Sequence, residues 1–570
     1  MDKRRYLAVS DFHLTRGRFP AKGVWAATED FFADDEFRRF LEYFASDQVP
    51  TTLIINGDLI DFLQILVSRD DSADLSAAGI QENEIDWVYG LRCTETTATY
   101  QIDQAISGHS VLFQSLARFV SSENNRVIFL KGNHDVQLFW PAVQEKIGRR
   151  LEGFVPENER RSIHERVQFL PWCYYVPGLL YVEHGNQYEY TTSFENFLRP
   201  VLPFEYKGVP NQIELDLSSL LVRYLTNRVE PVNPLADNIR PLSRYWEWVW
   251  NTHPLLFILT FGSAFRYVLK AFQKARRTSR ERTKLKDAYA SIASENKQLI
   301  QEEARRFEPD DVVRQEKLNE AFQEIAGMRV EPTLAQGAWK FLWTMLRTPI
   351  LALVWLLVLY LFATIVPPLL FPEPPPAGTT FWEKVMDNLL FALRWLERIA
   401  LTIVFGALLI WIRQVLRKRK SRLQAQKRRT EQQKRIADQP VGPDDLQGLA
   451  IPDMRVYAAI IARRLSVKYI TFGHTHYADI HALENGSWYF NTGTWMAIIA
   501  EQEQLYRELR QFSFLKIEAW KEREEERAQL LFWDPANQRP KPVVVVDTAD
   551  VSDDAEDNII KFLFGLFKAK

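Results

Sequence analysis

Five short segments of the chain place carboxylates, imidazoles and an amide at close spacing: Asp11-Phe12-His13, Gly57-Asp58-Leu59-Ile60-Asp61, Gly132-Asn133-His134-Asp135, Glu183-His184-Gly185 and Gly473-His474-Thr475-His476. Their donor atoms are oxygens of Asp and Asn and nitrogens of His, with no thiolate, a set that suits Mn²⁺, Fe or Zn²⁺. Seven candidate ligands, Asp11, His13, Asp58, Asn133, His184, His474 and His476, are too many for one ion. They suit two divalent ions that share a carboxylate and leave an open edge where a phosphate oxygen and a hydroxide can bind. A single histidine near a strand end is more often a satisfied structural residue. Five clusters in order along one chain are a different matter.

Each cluster follows a short apolar or β-branched run, Tyr6–Val9, Thr52–Ile55, Val127–Leu130, Leu179–Val182 and Val467–Thr471, which reads as a buried strand. Amphipathic stretches at 31–45, 111–120 and 454–465 alternate with these runs, so an α/β core is expected. Sites in such sheets form outside the carboxyl ends of strands, where ligands far apart in sequence converge. On extended backbone, Asp11 and His13 would share a face, as would His474 and His476. Two more strands are expected at 512–517 and 529–533, separated by a charged, helix-prone stretch at 518–527.

The ordered clusters resemble the calcineurin-like metallophosphoesterase family, whose D-x-H, G-D-x-x-D, G-N-H-D, isolated His-Gly and G-H-T-H motifs are met at 11–13, 57–61, 132–135, 184–185 and 473–476. Asn491-Thr492-Gly493-Thr494-Trp495 is similar to the strand and turn that follow the last histidines in that family. The resemblance covers roughly 5–190 and 450–535, and implies an αββα sandwich. It further implies that Asp11, His13, Asp58 and His476 hold one metal and Asp58, Asn133, His184 and His474 the other, with Asp58 bridging. His134 would protonate or orient the leaving oxygen, with Asp135 as its orienting partner, while Asp61 is left between a role there and one in structuring the turn. The implied chemistry is in-line attack of a metal-bridging hydroxide on phosphorus, with no covalent phosphoenzyme.

At 570 residues the chain exceeds one ordinary domain, and its formal net charge of −2 gives no reason to expect a nucleic-acid partner. Two cysteines, Cys93 and Cys173, are too few for a disulfide framework, and the N-terminus runs into a strand without an apolar leader, so a cytoplasmic start is expected. Between the two halves of the core lies a large insertion. Within it Pro349–Val366 is an uncharged apolar run of about 18 residues, long enough to span a membrane. A second candidate at 399–412 is clean for only about 14 residues, but a dense basic run at 413–435 follows it. If His184 and His474 serve one metal, the chain between them crosses a membrane an even number of times. These two stretches then pair as a hairpin with both basic runs, 274–284 and 413–435, on the cytoplasmic side. The stretch 254–265 fits interfacial or core packing better, 287–328 reads as a solvent-exposed helical hairpin, and the tail from Ile559 either lies on a membrane surface or docks on the protein.

The resulting division is a first core part at 1–190, a helical insertion at 191–345, a transmembrane hairpin at 346–415 (349–366 and about 396–415), a basic linker at 416–445, a second core part at 446–535, and an acidic linker and amphipathic tail at 536–570. The expectation is a membrane-held hydrolase with its core facing the cytoplasm, acting on a phosphorylated small molecule or lipid. Within the family, the UDP-2,3-diacylglucosamine hydrolase branch offers a lipid-pyrophosphate model, although this chain keeps His134 where that branch has arginine, and has Asn186 after His184-Gly185. Phosphomonoesters, cyclic nucleotides and phosphoproteins stay open. A scaffold that keeps the fold without turnover is the alternative of another class, and a nuclease is disfavoured because the basic runs flank apolar segments.

Overall fold

Apolar runs such as Leu53-Ile54-Ile55 and Val127-Ile128-Phe129 belong to strands covered on both faces, and successive side chains of a strand enter different cores. The computed structural model describes residues 3–227, 285–328 and 454–543, apart from 82, 123, 190, 206–208, 309–310, 484–485, 503–504 and 511, together with residues 270, 273, 280, 380 and 381. The chain divides into two units, Met1–Leu334 with Pro440–Lys570, and Ala335–Gln439. All described strands lie in the first.

One sheet holds seven strands. Its parallel half consists of β1 (Arg5–Val9), β2 (Thr51–Asn56), β3 (Arg126–Leu130) and β4 (Val167–Leu170). The second holds five: β5 (Cys173–Val176), β6 (Leu180–Glu183), β7 (Tyr469–Phe472), β8 (Ala478–Ala482) and β9 (Trp488–Thr492), in the order β5-β6-β7-β9-β8. A two-stranded ribbon, β10 (Ala497–Gln502) and β11 (Leu505–Arg510), then leads to β12 (Ser513–Glu518), β13 (Ala528–Asp534) and β14 (Arg539–Pro542). These last three join the first sheet antiparallel, β12 beside β1, giving the order β14-β13-β12-β1-β2-β3-β4. Both halves of the core thus contribute to both sheets. Arg5 pairs with Glu518 in register, and its Nε donates to the Glu518 carboxylate at 2.8 Å in a buried setting.

Ala8, Ile54, Ile128 and Leu130 face inward and meet Leu180, Val182, Tyr469 and Phe490 of the second sheet. Their neighbours Leu7, Leu53, Ile55, Val127 and Phe129 point outward against Phe37, Phe40, Leu112, Phe113 and Leu116 from the helices Asp34–Ala45 and Ser110–Ser121. The helix Asp34–Ala45 buries Phe37, Phe40, Leu41 and Phe44 at a spacing of three and four, one stripe of its surface, and carries Asp34, Asp35 and Glu36 in its first turn where the helix dipole favours them. The outer face of the second sheet, including Tyr175, Tyr181, Ile470 and Phe472, is covered by the helices Lys286–Phe307, Val312–Gly327 and Arg455–Leu465. Helix, sheet, sheet and helix therefore stack as four layers, as the αββα expectation has it.

The segment expected to form a solvent-exposed helical hairpin at 287–328 is a hairpin, but not a solvated one. Ile300, Ala304, Leu318, Phe322 and Ile325 are buried against Trp172, Tyr175 and the Arg455–Leu465 helix. Phe322 is wholly buried and meets the Trp172 ring edge-on at 5.2 Å. Charged residues are dense in this stretch, yet a narrow apolar stripe is enough to seat both helices. Phe322→Ala should therefore cost about 3–5 kcal/mol in urea unfolding. A solvated hairpin would lose under about 0.5 kcal/mol, and a result in that range would refute the packing.

Among the described residues, no helix is long and apolar enough to cross a membrane. The expected crossings at 349–366 and about 396–415, the stretch 254–265 and the tail 559–570 all lie outside the described residues.

Candidate metal centre

The five clusters sit at the carboxyl ends of parallel neighbours. Asp11 and His13 follow β1, Asp58 follows β2, and Asn133 and His134 follow β3 in the first sheet; His184 follows β6, and His474 and His476 follow β7 in the second. Three groups bring ligand atoms within 4.8 Å of one another: Asp11, His13 and His476; His13, Asp58 and His134; and Asp58, His184 and His474. Asp58 belongs to two of them. His13 Nε2 lies 3.1 Å from His476 Nε2 and 3.8 Å from Asp58 Oδ2, His476 Nε2 lies 3.3 Å from Asp11 Oδ1, and His184 Nε2 lies 3.0 Å from Asp58 Oδ2.

The expectation that extended backbone aligns each Asp-His or His-His pair is corrected by the structure. Strand β1 ends at Val9 and β7 at Phe472. Asp11, His13, Asp58, His474 and His476 all adopt positive φ, from 52° to 70°. The pairs reach the site through left-handed turns, a conformation that is costly for residues with a Cβ and that clusters at functional sites. Backbone hydrogen bonds hold the turns: Phe12 N and His13 N both donate to Asp58 O, and His474 N donates to Asp11 Oδ2 at 3.1 Å. Space is equally tight beneath Asp58. A Cβ on Gly132 would stand 2.2 Å from Asp58 Oδ1, so only glycine lets β3 end this close to that carboxylate.

The donor set fits divalent cations on three observations. Asp11 Oδ1, Asn133 Oδ1 and His184 Nε2 are buried with no hydrogen-bond partner, a costly state for polar atoms unless an ion or water meets them. His184 Nδ1 donates to Asn56 O at 2.8 Å, which fixes the tautomer and leaves Nε2 as a lone-pair donor aimed beside Asp58. Two imidazole nitrogens, of His13 and His476, converge with the Asp11 carboxylate. Burial acts to raise the Asp58 carboxyl, but the charges of His184, His134 and His13 outweigh it and hold Asp58 well below the usual carboxylate range.

The partner of His134 differs from expectation. Asp135 does not orient His134: its carboxylate accepts from Gly132 N and, at 2.9 Å, from Leu59 N, clamping the two turns together, and burial with the nearby Asp58 charge pushes it up to about 7. The orienting position belongs to Asp61, whose Oδ2 meets His134 Nδ1 at 2.6 Å. Its Oδ1 accepts from Leu63 N and Gln64 N at 3.1 and 3.2 Å, so one carboxylate structures the turn and holds the imidazole. Adjacent residues on a turn point apart, which is why the neighbour in sequence is not the partner in space. Burial opposes a charge on His134, but Asp61 and Asp58 outweigh it and raise its pKa.

Three further residues shape the centre. Asn56 positions His184 as described, and Glu189 and Thr192 reach His474, with Glu189 Oε2 and Thr192 Oγ1 at 3.0 and 3.2 Å from Nε2. None carries a motif signal, since each acts through a contact between segments remote in sequence or through its backbone.

Residues 4–218 match the model of the calcineurin-like phosphoesterase family. The chain therefore carries a calcineurin-like phosphoesterase domain, and that family implies phosphoester hydrolase activity. The match ends before His474 and His476, which the second sheet brings into the same site. No curated protein and no solved structure gives a significant match.

Proposed function

We propose that this protein hydrolyses phosphoester or pyrophosphate bonds with two divalent ions, at the cytoplasmic face of a membrane. The observation that carries the reading is the convergence, from five strand ends on two sheets, of buried oxygen and nitrogen donors, three of them with no hydrogen-bond partner. Asp11, His13, Asp58 and His476 would hold one ion, and Asp58, Asn133, His184 and His474 the other; Mn, Fe or Zn suits such donors. When bound, two such ions lower the pKa of water and stabilise charge developing on a phosphoryl group.

The chain's own residues then divide the remaining work. Asp58, buried and assigned to both ions, would set the spacing of the two sites. His134 is held by Asp61 through Nδ1, which leaves Nε2 to give a proton to the leaving oxygen. The reaction we infer is direct, in-line attack by water, with no covalent phosphoenzyme. The membrane assignment rests on the apolar runs at 349–366 and 399–412 and on the basic residues after them. A lipid-linked pyrophosphate is the substrate that location favours; a non-catalytic scaffold is the competing class.

The deciding experiment presents detergent-purified protein and Mn²⁺ with an aryl phosphomonoester, an aryl phosphodiester and a UDP-linked lipid pyrophosphate. Turnover that stops with chelator and drops about 10²–10⁴-fold in His134→Ala is the expected result, and the preferred member ranks the substrate classes. No turnover on any of the three with two ions bound would sink the hydrolase reading in favour of the scaffold. A variant lacking 346–415 should leave the membrane fraction; one that still sediments with membranes would refute the hairpin as the anchor.

A further inference from the structure

Within the Asp58, His184 and His474 group, the ring of His474 is held by the loop that directly follows His184-Gly185. That loop is tightly self-bonded. Asn186 Nδ2 donates to Thr192 O at 3.0 Å, Thr192 Oγ1 donates to Asn186 O at 2.9 Å, and Thr192 N and Ser193 N donate to Glu189 O at 3.2 and 3.0 Å. Thr191 Oγ1 donates to Glu189 Oε1 at 2.5 Å, which leaves Oε2 facing His474 Nε2 at 3.0 Å.

The partners of Nε2 favour one tautomer. A carboxylate only accepts, and the single proton of the Thr192 hydroxyl faces the carbonyls of Asn186 and Glu189, at 2.9 and 3.4 Å, so both oxygens beside Nε2 offer lone pairs. Nε2 must then carry the proton. Nδ1 is left as the donor atom, the mirror image of His184, where Nδ1–H is tied to Asn56 O and Nε2 is free. Glu189 meets His474 at Nε2 and is not one of the three residues, Asp58, His184 and His474, whose ligand atoms lie within 4.8 Å of one another.

We propose that Glu189, supported by Thr192, is a positioning residue of the second ion site: it takes the Nε2 proton of His474 and turns Nδ1 toward Asp58 and His184. A carboxylate in this place fixes the ring's orientation, and loss of such a partner typically weakens metal binding about 10–100-fold. The proposal rests on the two-ion reading above. It also gives a use to the segment after His184, because the residues that hold one histidine of the second site by chain connectivity hold the other by hydrogen bond.

The test is calorimetric titration of Mn²⁺ into the metal-free full-length chain, with low-temperature electron paramagnetic resonance to detect an exchange-coupled ion pair. Wild type should bind two ions and show the coupled signal. Glu189→Ala should keep the fold by circular dichroism and bind the first ion as wild type does, while the second binds about 10–100-fold more weakly and the coupled signal fades at equal Mn²⁺. Glu189→Gln, whose amide oxygen still accepts the Nε2 proton, should recover most of the affinity. Unchanged affinities in Glu189→Ala overturn this inference alone, and so does a Gln variant no better than Ala. Wild type that takes up a single ion overturns the two-ion reading and this inference with it.

Discussion

Asp58→Ala is expected to emerge folded but with neither ion retained after dialysis, and with turnover reduced by roughly 10³-fold or more, the loss of several kcal/mol of charge stabilisation at about 1.4 kcal/mol per tenfold. The size follows from position. Asp58 is 1% exposed, its Oδ2 is 3.0 Å from His184 Nε2 and 3.8 Å from His13 Nε2, and it belongs to two of the three ligand groups. In the proposed two-ion assignment every other candidate ligand serves one ion, whereas Asp58 serves both, so its removal withdraws an anionic oxygen from each. The fold should survive because the turn is held by backbone: Phe12 N and His13 N donate to Asp58 O, which alanine retains. The variant does lose the bond from His134 N to Asp58 Oδ1 at 2.8 Å. Asp58→Asn is the necessary companion, since its amide keeps an oxygen for that bond but not the charge. Elemental analysis of both variants decides: two ions retained in either one would disprove the bridging role.

The clusters themselves were legible because each ligand set directly follows a strand, and the strands β1, β2, β3, β6 and β7 are apolar enough to be read from sequence. What the sequence concealed is conformation and partnership. Five non-glycine site residues at positive φ carry no propensity signal, because tertiary hydrogen bonds impose the turns. Strands β4, β5 and β8 escaped reading for another reason: each has four or five residues, several of them only half-buried, as in Ala478-Asp479-Ile480-His481-Ala482. Their pairing with β3, β6 and β9 makes them strands, not their own composition. The helix Lys286–Phe307 was read as solvated because Ile300 and Ala304 are few among its charges, although they reach the core of the second sheet. The contacts of Asp61 with His134 and of Glu189 with His474 likewise depend on which side of a turn faces the neighbouring strand end, and no spacing rule supplies that.

The exchange of roles between Asp61 and Asp135 predicts opposite signatures for two substitutions that look alike in sequence. Asp61→Asn keeps the cap on the turn, since an amide oxygen can still accept from Leu63 N and Gln64 N, but withdraws the negative charge 2.6 Å from His134 Nδ1. In the wild type Asp61 and Asp58 raise the His134 pKa against the effect of burial. A proton donor is active below its pKa and lost as pH rises through it, so lowering that pKa moves the basic limb of the pH–rate profile to lower pH. Asp61→Asn should show that shift together with a fall in kcat of about 10²-fold, the lower end of what general acid catalysis contributes, with both ions still bound. Asp135→Asn, by contrast, touches Gly132 N and Leu59 N and not the imidazole. Its amide can satisfy only one of those two backbone donors without turning its own N–H₂ against the other, so the expected loss is in stability, about 1–3 kcal/mol for a buried donor left unpaired, with the basic limb unmoved. Steady-state profiles of both variants across the basic limb separate the assignments, because His134→Ala must lack the limb altogether. A shifted limb in Asp135→Asn and an unshifted one in Asp61→Asn would restore the assignment that sequence order alone implies.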